Sequence, residues 1–102
     1  MLLLRAALAV ILLGLVADVL SADVAATYKA KCTMCHGASG AGDTPAGKAM
    51  KARDLRSPEV KKQTDDQLAA VIANGRNKMP KFADKLSAAE IKALVQFIRA
   101  LK

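Results

Sequence analysis

Near the C-terminus, apolar residues recur at Ile91, Leu94, Val95 and Ile98, and Leu101 continues the same side, while Lys92, Gln96 and Arg99 fall between them. The i, i+3, i+4, i+7 spacing predicts an amphipathic helix, and Ser87 with Glu90 three residues later forms a capping box at its start. A second such helix is predicted after Thr64, where Gln67 completes another capping box and Leu68, Val71 and Ile72 share one face. Asn74 and Gly75 end it. Ser57, Pro58 and Glu59 read as an N-cap, a first-turn proline and a favourable acidic charge, so a short helix is predicted from Pro58 to Gln63. Upstream, Asp23 is a candidate cap for a helix carrying Val24 and Tyr28, with Gly37 as its stop. The stretch "GASGAGDTPAG", from Gly37 to Gly47, has the composition of a loop, and "RNKMPKFADKL" is an irregular connection before the last helix. No run alternates apolar and polar residues long enough to predict a strand, so the expected class is all-α with about four helices.

The first 22 residues follow a different pattern. Arg5 precedes an apolar run from Ala6 to Ala17, of signal-peptide length and short for a bilayer span. Asp18 interrupts the run, and the small residues Ser21 and Ala22 place the expected cleavage after Ala22, although Leu20 is a poor match to the small residue usual there. The chain is therefore read as a signal peptide, 1–22, followed by one domain, 23–102, exported to the periplasm. Retention of the leader would instead leave a membrane anchor.

Without the leader, which holds Arg5 and Asp18, 15 basic and 8 acidic side chains remain, and the net charge stays at +7. Such a surface steers anionic partners. The lysines are scattered along the chain, and an exported protein seldom meets nucleic acid, so the expected partner is a protein with an acidic docking surface. Neither nucleic acid nor stable membrane insertion after cleavage is expected, and the protein is read as a monomer. A domain this short buries little apolar surface, with only Tyr28, Phe82 and Phe97 as aromatics, and domains of this size usually need a staple or a cofactor.

Both cysteines and the single histidine lie within five consecutive residues, Cys32, Cys35 and His36. At i, i+3 and i+4 of a helix they project from one side. The spacing C-x-x-C-H is the attachment signature of c-type haem, in which two thiols become thioethers to the porphyrin and the imidazole ligates the iron. A thioredoxin-like dithiol would need strands that this chain does not supply, a zinc site would need a fourth ligand, and a disulfide between Cys32 and Cys35 would close only a small loop.

From about Ala25 to the C-terminus the chain resembles the small bacterial class I c-type cytochromes. The resemblance rests on "CTMCHG", "KMPKF" and the terminal "LSAAEIKALVQFIRAL". It implies a small helical fold wrapped around one covalently attached haem c, with the first and last helices crossing near Tyr28 and Phe97. The chain lacks the tryptophan that many members carry, and has Ala25 or Ala26 where others often place glycine; both departures touch packing. The resemblance also implies that His36 Nδ1 donates to a backbone carbonyl in the loop around Thr44 and Pro45.

With His36 as the proximal ligand, no second histidine remains for the other side of the iron. Met34 lies inside the attachment turn, which leaves Met50 and Met79. Met79 sits in an irregular segment, Pro80 restricts its backbone, and its position 43 residues beyond His36 matches that of the family's axial methionine. Met79 is therefore the expected distal ligand and Met50 a core filler. A His/Met iron has no open position, so the expected function is one-electron carriage, not enzymatic catalysis. A five-coordinate haem protein that binds gas or reacts with peroxide, or a haem subunit fixed in a larger respiratory complex, are the rivals. Lys48, Lys51, Arg53 and Arg56 are candidate partners for the haem propionates, and Lys29, Lys31, Lys78, Lys81 and Lys85 candidates for a docking ring.

Overall fold

The computed structural model describes residues 23–102, so the expected leader lies outside the described residues. Six helical segments follow one another. The first, α1, covers residues 23–31, and then come α2 (Thr33–His36), α3 (Pro45–Met50), α4 (Pro58–Lys62), α5 (Asp65–Asn74) and α6 (Ala88–Arg99). Among the described residues there is no strand, only an isolated antiparallel bridge between Arg76 and Met79.

Two of these segments differ from the pattern expected. Asp23 is itself helical rather than a cap, and the first helix is broken at Cys32, which takes a turn conformation between α1 and α2. Continuity survives through the Cys32 amide, which donates to the Tyr28 carbonyl at 2.9 Å, and the Thr33 hydroxyl, which reaches the same oxygen at 3.3 Å. The second difference is α3, which starts inside the stretch read as loop and runs three residues past its end. Its signals were present: Thr44 accepts a hydrogen bond from the Gly47 amide as N-cap, and Pro45 stands in the first turn. The surrounding glycines obscured them.

Elsewhere the caps act as their residue types predict. Thr64 with Gln67, and Ser87 with Glu90, form reciprocal capping boxes on α5 and α6. Ser57 caps α4, which ends one residue earlier than expected, with Gln63 as its C-cap.

The core is built on α6, whose Ile91, Leu94, Val95 and Ile98 are all buried. Against them lie Leu68 and Ile72 of α5, Val60 of α4, and Phe82 and Leu86 from the segment that leads into α6. Each such side chain contributes about 1.5–3 kcal/mol when removed from water. Tyr28 of α1 completes the cluster and stacks on Phe97 of α6, so the first and last helices pack against each other.

Arg99 ties three helices at one point. Its guanidinium donates to the Val60, Lys61 and Gln63 carbonyls at the end of α4 and to the Asp65 carboxylate that opens α5. Gln96 adds a bond to the same carboxylate at 3.1 Å. The open carbonyls of a helix end are thereby satisfied by a cation, the sign that suits that end of the helix dipole. Among the described residues no helix is long and apolar enough to cross a membrane.

Candidate metal centre

Cys32, Cys35 and His36 occupy the α1–α2 junction and α2, and all three are partly buried. Both thiols are free rather than joined as a disulfide. No group of three His, Cys, Asp or Glu side chains among the described residues converges to hold a metal ion. Burial pushes the Cys32 thiol up, an effect that nearby Lys31 opposes.

His36 is held by both its backbone and its ring. Its carbonyl accepts from the Gly42 amide at 2.8 Å, and its Nδ1 lies 3.0 Å from the Arg53 carbonyl oxygen. A carbonyl can only accept, so Nδ1 carries the proton, which leaves Nε2 as the ring nitrogen able to bind a metal. The imidazole is thus prepared to ligate through Nε2. The acceptor is Arg53, not a carbonyl around Thr44 and Pro45 as the resemblance implied. Thr44 serves the backbone of α2 instead, with its hydroxyl 2.6 Å from the Met34 carbonyl and 3.1 Å from that of Cys35. The chain from Gly37 to Arg53 wraps back over α2, held by Ala52 bonded to Gly47 and Leu55 bonded to Gly40.

Behind this turn, the Tyr28 hydroxyl donates to the Gly37 carbonyl at 2.7 Å in a buried position. Burial, and secondarily the Cys32 thiolate, push the Tyr28 phenol up to about 12.

The methionines separate by environment. Met34 and Met50 are exposed, whereas Met79 is partly buried and packs against the core cluster, as Cys32 does. Met79 is fixed from both sides. Its amide donates to the Arg76 carbonyl at 2.9 Å and its carbonyl accepts from the Arg76 amide at 3.2 Å, closing a tight turn in which Asn77 takes a left-handed φ of 53°. Asparagine tolerates that conformation better than most residues. Beyond Pro80, the Phe82 and Ala83 amides donate to the Ile72 and Ala73 carbonyls of α5. Gly75 makes this approach feasible: at φ +77° it lies so close that a Cβ would come within 2.7 Å of the Met79 carbonyl oxygen and 3.1 Å of the Lys81 nitrogen.

Among the candidate propionate partners, Arg56 is already engaged, forming a two-pronged pair with Asp54 at 3.0 and 3.1 Å. Its guanidinium and amide bonds hold the Asp54 carboxyl below its usual range. Lys48, Lys51 and Arg53 are exposed, as are Lys29, Lys31, Lys78, Lys81 and Lys85, with Lys85 lying over the Phe82 ring.

A family profile described as "Cytochrome C oxidase, cbb3-type, subunit III" matches residues 20–98. The chain belongs to this family and is a small class I c-type cytochrome. Among solved structures it is similar to the KustC0563 c-type cytochrome, at 32% identity and a TM-score of 0.70 over 76% of this chain and 95% of that one. A Tyr-to-Phe variant of the same protein matches with the same identity and TM-score, over 78% and 99%. No curated protein matches. Membership brings haem c binding and a general electron-carrying role to this cytochrome. The donor chemistry fits such a group: two free thiols on one side of a turn, an imidazole with Nε2 available, and a half-buried thioether on a pinned backbone.

Sequence reasoning missed the residues that hold these donors. The Arg53 carbonyl has no residue-type signature at all. Gly75 was legible only as a helix stop, although a glycine four residues before a Met-Pro pair was there to be noticed.

Proposed function

We propose that this cytochrome is a periplasmic carrier of single electrons, with one haem attached through Cys32 and Cys35 and its iron held between His36 and Met79. The fixation of Met79 carries this reading. A methionine that merely fills space needs no fixed backbone, yet Met79 is pinned by Arg76, by Pro80 and by the anchoring of Phe82 and Ala83 on α5. When bound, haem c supplies a one-electron ferric/ferrous couple. With His36 and Met79 as donors to the iron, no position on it would remain for a substrate, which suits a carrier and not an enzyme. The soft Met79 sulfur favours the ferrous state and raises the potential.

The exposed lysines around the two ligand segments suit a partner with an acidic surface. Such encounters weaken as salt rises. The leader, residues 1–22, supports a periplasmic location.

The family description names a subunit, which favours a second reading: a haem domain fixed in a larger respiratory complex. Purification from the native membrane and soluble fractions separates the two. A carrier is recovered free, titrates as a one-electron couple, and exchanges electrons with redox proteins at rates that fall with salt. Obligatory co-purification with other subunits through a high-salt wash would contradict it.

A further inference from the structure

Gly42 stands between the two hydrogen bonds that hold His36. Its amide donates to the His36 carbonyl at 2.8 Å. Its α-carbon faces the Arg53 peptide so closely that a Cβ would lie 2.7 Å from the Ala52 oxygen, 2.9 Å from the Arg53 oxygen and 3.1 Å from the Arg53 carbonyl carbon. The Arg53 oxygen is the acceptor 3.0 Å from His36 Nδ1. A closed circuit results, running from the His36 backbone through Gly42 to Arg53 and back to the His36 ring.

All three atoms in the way are backbone, so no rotamer change relieves the contact. The φ of +71° also disfavours any side chain at this position. A methyl group at Gly42 must push the Arg53 carbonyl several tenths of an ångström, and a bond of 3.0 Å has little such reserve before it fails. A carbonyl that accepts the Nδ1 proton fixes the ring and raises its strength as a donor at Nε2. A stronger donor favours ferric iron. Losing that bond therefore favours the ferrous form.

We propose that Gly42 is a positioning residue for the proximal ligand: the absence of a side chain keeps the Arg53 carbonyl on His36 Nδ1 and thereby holds the redox potential down. The inference rests on the reading of His36 as the iron's ligand.

The test compares Gly42→Ala with Gly40→Ala in the holoprotein. Gly40 lies in the same loop with a similar φ of +84°, but its added Cβ would meet the Leu101 methyl, a side-chain end that can move, and not Arg53. Both variants carry backbone strain, and only Gly42→Ala disturbs the carbonyl. At a fixed ambient potential, Gly42→Ala is expected to shift the ferrous/ferric ratio about tenfold toward ferrous, about 59 mV for one electron. Its His36 Nδ1 proton should exchange with solvent at least about tenfold faster, by NMR, as expected of a ring that has lost its carbonyl acceptor. Gly40→Ala should match the parent in both. Equal shifts in the two variants, or none in Gly42→Ala, would overturn the proposal.

Should Gly42→Ala fail to yield holoprotein, the parent protein still decides. A 13C-labelled Arg53 carbonyl should shift between oxidation states while the Nδ1 proton exchanges slowly. An unresponsive carbonyl with a labile Nδ1 proton would overturn the proposal. Failure of the underlying reading looks different: His36 ring signals in the ferric protein would then lack the hyperfine shift of an iron ligand.

Discussion

Tyr28 and Phe97 meet with ring centroids 4.8 Å apart and planes tilted by 37°, and this contact joins the first helix to the last. The same tyrosine reaches back with its hydroxyl to the Gly37 carbonyl, where the cysteine turn ends. One side chain thus links helix packing to the geometry of the cysteine turn.

Tyr28→Phe should keep the stacking and lose the hydrogen bond, while the Gly37 carbonyl keeps the Gly40 amide at 3.2 Å. The expected cost is about 0.5–1.5 kcal/mol, read as a lowered midpoint in denaturant with an unchanged slope. Tyr28 is the only tyrosine, so its ionisation can be followed alone by NMR of a labelled ring. Its pKa is pushed up to about 12 from 10.0, chiefly by burial. The folded state holds the proton longer than the unfolded one, so stability is full below pH 10 and falls as pH rises from 10 to about 12. A midpoint at 10 would contradict the burial.

Arg99→Ala should loosen the junction of α4, α5 and α6 by about 1–2 kcal/mol, since several charge-assisted bonds go at once. Arg99→Lys should recover less than half of that loss, because an ammonium cannot spread its donors over a carboxylate and three carbonyls. Thermal melting of the three proteins checks the order.

The capping box on α6 makes an acid-side prediction. The Ser87 amide and hydroxyl hold the Glu90 carboxyl below its usual value of 4.5. Its contribution to stability is therefore present above that pH and lost as pH falls through the lowered value. Glu90→Gln keeps an acceptor for the Ser87 amide but cannot titrate, so its melting temperature should fall less steeply below pH 4.5 than that of the parent.

Gly75→Ala introduces a Cβ against the Met79 and Lys81 backbone at a positive φ. Strain of about 1–3 kcal/mol is expected, together with a displaced Met79. In the holoprotein this should appear as a weakened methionine-ligand absorption band and partial binding of carbon monoxide. Full retention of the band would mean that the turn from Arg76 to Met79 absorbs the shift.

Much of this arrangement was legible in the residues, for identifiable reasons. The apolar stripe of α6 and the two capping boxes are short-range signals, and each formed as its spacing predicts. The C-x-x-C-H motif is equally short-range, although the helix expected to carry it breaks at Cys32. The α3 helix was hidden because the glycines around Thr44 and Pro45 outweighed a sound N-terminal signal. A backbone carbonyl on His36 Nδ1 was expected, but not the residue that supplies it, since the acceptor is a main-chain oxygen 17 residues away. Arg99 looked like one more solvated cation on a polar face until the end of α4 was seen to meet it.

Sharing of the iron by His36 and Met79 is tested most directly by the absorption spectrum of the oxidised holoprotein. A low-spin ferric spectrum is expected, with the weak far-red band of methionine ligation, abolished in Met79→Ala, which should keep its haem, bind carbon monoxide and show a lower potential. A high-spin spectrum without that band in the parent protein, or a band that survives Met79→Ala, would contradict it.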